Sequence, residues 1–87
     1  MKTIDKIFRA LGNPKRLAIV YFLLKRHEAT VEDIAEAIRL SHKSTSKHLV
    51  LLDKLDLVTY QRKSRYIFYR LNHGEHLFAD ALLRLLK

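Results

Sequence analysis

Apolar residues change their spacing near Leu55, and this change limits what the chain can fold into. Before Leu55, apolar side chains recur three and four residues apart, which is the period of a helix with one buried face. After it, residues 57–60 and 66–71 are rich in β-branched and aromatic types, which is typical of strands. The sequence therefore predicts a mainly α chain with one β-hairpin.

Local start and stop signals divide the first part into helices. Ile4 to Leu11 carry an apolar stripe, and Gly12-Asn13-Pro14 then ends one helix and caps the next, which runs to about residue 25. That second helix is apolar over much of its surface, and five of its residues are predicted to point inward: Leu17, Ala18, Val20, Tyr21 and Leu24.

Two shorter helices follow, and a last helix closes the chain. Thr30 precedes residues 31–38 with an acidic first turn, and Ser41 is the N-cap of a fourth helix that runs to about residue 55. The fourth helix is predicted to bury one stripe: Thr45, Leu49, Leu52 and Leu55. A terminal helix is predicted to start near Gly74.

The predicted element order is α-α-α-α-β-β-α. Two short helices joined by a tight turn, the second followed by a hairpin, form a winged helix-turn-helix arrangement. Residues 1–87 make one such domain, because a chain of this length has no room for a second core. The polar residues 61–65 are predicted to form the hairpin tip.

The composition favours a polyanionic partner. The formal net charge is +8, which points to nucleic acid first and to an anionic membrane second. No apolar run approaches the roughly 20 residues of a membrane-spanning helix, and the first residues lack the apolar stretch of a signal peptide. We therefore expect a cytoplasmic protein, associated with the nucleoid, that has no membrane partner.

Four segments, in order and at the expected spacing, resemble the ArsR family of bacterial and archaeal repressors. They are ALGNPKRL at residues 10–17, TVEDIAEAI at 30–38, LSHKSTSKHLVLL at 40–52 and RYIFYRL at 65–71. The resemblance implies a homodimeric, sequence-specific regulator of transcription, acting as a repressor on double-stranded DNA. It also implies that the first and last helices form the dimer interface, through Ile4, Ile7, Phe8, Leu77, Phe78, Ala81, Leu82 and Leu85.

The front of the fourth helix is rich in hydroxyl and basic side chains and has no acid. The N-terminal residues of a recognition helix meet base edges in the major groove, and such a front suits that role. An ordinary solvated helix face is the alternative, but it would carry glutamate. The predicted DNA contacts of this helix are Ser41, His42, Lys43, Ser44, Ser46 and Lys47.

The hairpin tip brings together Arg62, Lys63 and Arg65, which are predicted to lie on the phosphate backbone or in the minor groove. Basic residues that guard an edge strand against aggregation are the alternative. For Tyr66 and Phe68, packing in the core is the preferred interpretation over stacking on bases.

Three positions depart from the pattern of the family. Asp56 and Ser64 stand where glycine is common, and aspartate tolerates the left-handed backbone better than most residues. Serine lacks this tolerance, so Ser64 predicts a different or slightly strained tip. Val50 replaces a basic residue, which removes one expected phosphate contact.

Neither a metal site nor catalysis is predicted, and we expect no cofactor and no small-molecule substrate. The chain has no cysteine for a thiolate site, and His73, His76 and Asp80 at the start of the last helix form at most an improvised one. Ser44 and His48 lie one helical turn apart without a carboxylate to orient the histidine, so the chain is not predicted to be an enzyme. The alternative function is a winged-helix protein-interaction module of the transcription machinery.

Overall fold

The computed structural model describes residues 2–72 and residue 84, with side chains from residue 5 onward. Within this part, helices and strands follow in this order: α1 (Lys2–Leu11), α2 (Pro14–Arg26), β1 (Ala29–Thr30), α3 (Val31–Ile38), α4 (His42–Lys54), β2 (Val58–Lys63) and β3 (Tyr66–Leu71). Arg84 is helical and exposed, whereas the rest of the predicted terminal helix lies outside the described residues.

The predicted starts of α2, α3 and α4 are confirmed, and side-chain caps fix them. Asn13 Oδ1 accepts hydrogen bonds from the backbone N–H groups of Lys15 (2.9 Å) and Arg16 (3.1 Å) at the start of α2. At the start of α3, Thr30 Oγ1 accepts from the Asp33 N–H at 3.1 Å, and the Asp33 carboxylate accepts from the Thr30 N–H at 3.4 Å. These bonds satisfy N–H groups that have no partner inside the helix.

The hairpin is longer than predicted, and a third strand joins it. The sheet has the order β1-β3-β2 with antiparallel pairs, and the hairpin register runs from Val58 opposite Leu71 to Lys63 opposite Tyr66. The prediction of a tip over residues 61–65 is therefore wrong, because residues 61–63 continue β2 and Ser64-Arg65 alone make the turn. Ser64 has φ 59°, in the left-handed region that is costly for serine, which fits the predicted slightly strained tip.

The core lies between α1–α4 and the inner face of the sheet. Thr45, Leu49 and Leu52 of α4 are 0% exposed, which confirms three members of the predicted stripe, whereas Leu55 is only half-buried against the core. Ile67, Tyr69 and Leu71 share the inner face of β3, where Tyr69 and Leu71 are buried.

The predicted buried face of α2 is wrong in part. Tyr21 is 43% exposed, whereas Ile19 and Leu23, which the prediction left out, are almost fully buried. Val20 is buried as predicted, and Leu17, Ala18 and Leu24 pack against the core while half-buried. The broad apolar coverage of this helix does not single out one face.

None of the helices within the described part is long and apolar enough to cross a bilayer.

Candidate nucleic-acid interface

The helix α4 is held firmly on its inner side and at its start. Thr45, Leu49 and Leu52 anchor it in the core. The Ser41 side-chain oxygen accepts the Ser44 N–H at 3.1 Å, as the N-cap prediction requires. The anchored stripe leaves the opposite side of the helix to project outward.

The outward side of α4 presents Lys43, Ser46, Lys47 and Val50, spaced at helical intervals. Lys43 and Lys47 are exposed, and neither has a hydrogen bond, ion pair or ring contact within residues 5–72. Val50 is 49% exposed, so the expected basic position is an apolar patch here. The side therefore offers two unpaired cations and a half-buried hydroxyl to a partner.

His42, the first residue of α4, has a carboxylate close to its ring. Its Nε2 lies 3.4 Å from the Glu32 carboxylate of α3. The side chains of His42 and Glu32 are 60% and 59% exposed. The front of α4 is free of acids along its own sequence, but α3 places a carboxylate beside it. Sequence reasoning along a single helix missed this neighbour because the two residues lie on different elements.

The three predicted cations near the tip of the hairpin, Arg62, Lys63 and Arg65, have different surroundings. Lys63 Nζ lies 3.4 Å from the Glu28 carboxylate and 5.1 Å from the centre of the Phe68 ring. Arg65 stacks over the Tyr66 ring at 5.4 Å. Arg62 has no such contact within the described residues, so it is the one of these three cations most available to a polyanion.

Tyr66 does not pack in the core. It is 41% exposed, and its ring meets the half-buried Phe68 edge-on, with centres 6.5 Å apart. The core interpretation is therefore wrong for Tyr66, and Phe68, although half-buried, is not among the described residues that pack against the core. Both rings instead contact cations of the hairpin: the Phe68 ring contacts Lys63, and the Tyr66 ring contacts Arg65.

Arg16 connects three helices, which no sequence signal indicated. Its Nε donates to the Ala10 carbonyl of α1 at 2.8 Å, and its Nη1 lies 3.3 Å from His48 Nδ1 on α4. Since a guanidinium can only donate, His48 accepts through Nδ1. Burial first, and the nearby Arg16 charge second, lower the pKa of His48, which favours the neutral ring that this bond needs.

Several predicted residues take no part in this surface. The His73, His76 and Asp80 group lies outside the described residues, and within those residues no three histidine or acidic side chains converge as metal ligands would. Of the predicted dimer contacts, Phe8 is 50% exposed, whereas Ile7 is 1% exposed in a single chain and belongs to its own core. The side chains of the others lie outside the described part: Ile4, Leu77, Phe78, Ala81, Leu82 and Leu85.

Comparison with known sequences points to one family. Residues 13–60, which include α3 and α4, match the family described as bacterial regulatory protein, arsR family. The transcriptional repressor SdpR of Bacillus subtilis (strain 168) is 36% identical over 69 residues, which cover 79% of this chain and 76% of that protein.

Solved structures agree with the architecture. Reduced HlyU from Vibrio cholerae N16961 has a TM-score of 0.86 and 27% sequence identity, and the match covers 98% of this chain and 85% of that one. The homodimeric winged helix-turn-helix DNA-binding domain of Mb0332 from Mycobacterium bovis, solved by NMR, has a TM-score of 0.81 and 27% identity, with coverage of 98% and 75%.

Proposed function

The chain belongs to the arsR family of bacterial regulatory proteins, and we propose that it is a homodimeric repressor that reads operator DNA with α4. It is a winged helix-turn-helix regulator of transcription, and the named relatives give no support to a protein-interaction module. The proposal extends this to a cytoplasmic DNA-binding protein that performs no catalysis.

One observation carries the proposal: the outward side of α4 keeps Lys43 and Lys47 unpaired while its inner side is locked in the core. An unpaired ammonium on a rigid helix can donate to guanine O6 and N7 or to phosphate without first breaking an internal ion pair. Ser46 between them, with Ser41 and Ser44 at the start of the helix, adds short hydroxyl donors. The proposed major-groove surface is therefore the first half of α4.

The hairpin supplies contacts that do not depend on base sequence. Arg62 is the proposed primary phosphate contact, because it has no competing partner among the described residues. Lys63 must leave or share the Glu28 carboxylate to reach DNA, and Arg65 can reach out while its ring contact is exchanged for phosphate. In this proposal the α4 surface reads the bases, and the hairpin positions the protein on the DNA backbone.

A dimer matches this arrangement to duplex DNA. The Mb0332 domain is described as homodimeric, and we propose the same for this chain, with Phe8 of α1 at the interface. A two-fold dimer places two α4 helices on half-sites about 34 Å apart along one side of the duplex, so the operator should be roughly palindromic.

The experiment starts by selecting binding sites from a pool of random duplexes. Affinity for the selected site and for an unrelated duplex is then measured by fluorescence anisotropy over a range of salt concentrations. Lys47→Gln should weaken the selected site about tenfold with a smaller effect on unrelated DNA, since it removes a base contact. Arg62→Gln should weaken both duplexes and reduce the salt slope by about one.

Lys25→Gln is the matched control, because Lys25 is an exposed lysine on α2 and its removal changes the net charge equally. It should leave the selected-site affinity within about twofold of the parent value. The proposal fails if Lys47→Gln and Lys25→Gln behave alike, or if the pool yields no preferred sequence.

A further inference from the structure

A groove of about 410 Å³ opens between α1 and the C-terminal half of α4, one to two turns beyond Lys47. Its floor is apolar and consists of Ala10 from α1, Leu51 from α4 and Leu55, the C-cap of α4. Leu51 is 37% exposed, so the floor is open to solvent. The volume falls in the range of roughly 300–1,000 Å³ that is usual for small-molecule sites.

The rim of the groove is basic, and no acid is among its described lining residues. It comprises Lys6, Arg9, Arg16 and Lys54. Lys6 and Lys54 have no ion pair or hydrogen bond within residues 5–72. Arg9 is paired with Asp5 at 3.0 Å, but both side chains are largely exposed and such a pair holds its partners weakly.

Arg16 is the fixed member of the rim. Its Nε is held by the Ala10 carbonyl and its Nη1 by His48, so the guanidinium plane has a set orientation. Its Nη2 has no partner among the described residues and is free to donate. A fixed guanidinium beside a mobile lysine is a suitable receptor for a carboxylate head group.

We infer that this groove binds a small anionic amphipath, of the class of medium-chain carboxylates. Its carboxylate is held by Arg16, Lys54 and Lys6, and its apolar body covers Leu51 and Leu55.

Two other occupants would use part of the surface. A DNA phosphate would use the cations but gain nothing from the apolar floor, and a second copy of the chain would cover the floor but need acids to meet the rim. The inference does not rest on the proposed function, since binding is measured without DNA.

The test titrates the isotope-labelled full chain with decanoate, below its micelle-forming concentration, and follows backbone amides by NMR. Saturable shifts are expected at residues 51, 54 and 55. The double variant Lys6→Gln, Lys54→Gln should weaken decanoate binding about tenfold or more, because each lysine provides a charge-assisted contact. Lys25→Gln should leave it unchanged, and unperturbed spectra elsewhere show that each variant is folded.

Two further probes separate the contributions of charge and apolar surface. 1-Decanol, which lacks the charge, and inorganic phosphate, which lacks the tail, should each bind at least about tenfold more weakly than decanoate. Equal binding of either probe overturns the inference.

Two other results also overturn it. If decanoate gives no saturable shift and Leu51→Asp turns a dimer into a monomer, the groove is an interface between two copies of the chain. If decanoate gives none and duplex DNA shifts the same amides, the rim is a phosphate contact.

Discussion

Thr45 is fully buried in α4, yet its hydroxyl oxygen has no hydrogen-bond partner within the described residues. The methyl group of this residue packs in the core, whereas the unpaired hydroxyl costs roughly 1–3 kcal/mol of folding free energy. The sequence predicted that Thr45 points inward, but it could not show that the hydroxyl would find no acceptor there.

Replacing Thr45 by valine should therefore stabilise the protein. Valine keeps the shape and removes the unpaired oxygen, so the free energy of unfolding should rise by about 1 kcal/mol. Urea denaturation measures the change, and Thr45→Ser, which keeps the hydroxyl and loses the methyl group, should lower stability instead. A loss of stability in Thr45→Val would mean that the hydroxyl has a partner after all.

His48 gives the fold a sensitivity to acid. Its pKa in the folded chain lies below the ordinary value of 6.5, owing first to burial and then to the charge of Arg16. The unfolded chain therefore binds the proton more readily, and the contribution of His48 to stability is complete above about pH 6.5 and lost as the pH falls through the lower, folded-state pKa. Neither this pairing nor that of His42 with Glu32 could be read from the sequence, since the partners are far apart along the chain.

The effect of His48 can be isolated with one variant. His48→Gln retains an acceptor for Arg16 but does not titrate. Between about pH 7.5 and 5.5, the parent protein should lose more stability than His48→Gln, as measured by urea midpoints at each pH. Equal losses in the two proteins would show that the Arg16–His48 contact contributes no pH dependence.

At the scale of the elements, local signals determined what the sequence could predict. Caps act within four residues, and so the starts of α2, α3 and α4 at Asn13, Thr30 and Ser41 were predictable. The strand β1 was not predictable, because two residues carry no periodicity and its pairing with β3 joins positions 40 apart, Ala29 with Tyr69.

Ser41 has two roles, because it caps α4 and belongs to the proposed DNA-binding surface. Two substitutions should separate these roles. Ser41→Ala should lower the free energy of unfolding by about 1 kcal/mol, because the Ser44 N–H loses its acceptor. Ser41→Asp should retain stability, since aspartate caps equally well, but should weaken DNA binding through repulsion of phosphate. Denaturation and anisotropy measure the two effects, and unchanged DNA affinity in Ser41→Asp would place the front of α4 away from the duplex.

For the whole molecule, the proposed dimer is the feature that is hardest to derive from the sequence or from the structure of one chain. The resemblance assigned Ile7 to the interface, but the fold uses it for the core, because α1 must cover α2 before it can meet a partner. Which apolar residues serve one chain and which serve two depends on packing that spacing alone cannot resolve. The net charge of +8, by contrast, favoured nucleic acid over an anionic membrane without any knowledge of the fold.

Sedimentation equilibrium should give a mass near twice the 10.3 kDa of the chain. Phe8→Ser should weaken dimerisation about tenfold or more, because a large apolar ring leaves the interface. Tyr60→Ser, which removes an aromatic ring 54% exposed on the hairpin, is the matched control and should leave the dimer intact. A monomeric mass for the parent protein would contradict the proposal that a two-fold dimer binds a palindromic operator.

Mapping the DNA contact on the folded protein tests most sharply whether α4 reads DNA. An isotope-labelled sample is titrated with the selected duplex, and backbone amide shifts are followed by NMR. If α4 reads the duplex, the largest shifts should fall at residues 41–47 of the α4 front and at residues 62–65 of the hairpin, with little change around Lys25 on α2. Shifts concentrated on α2 or on the α1–α4 groove, with the α4 front unchanged, would show that α4 does not read the duplex.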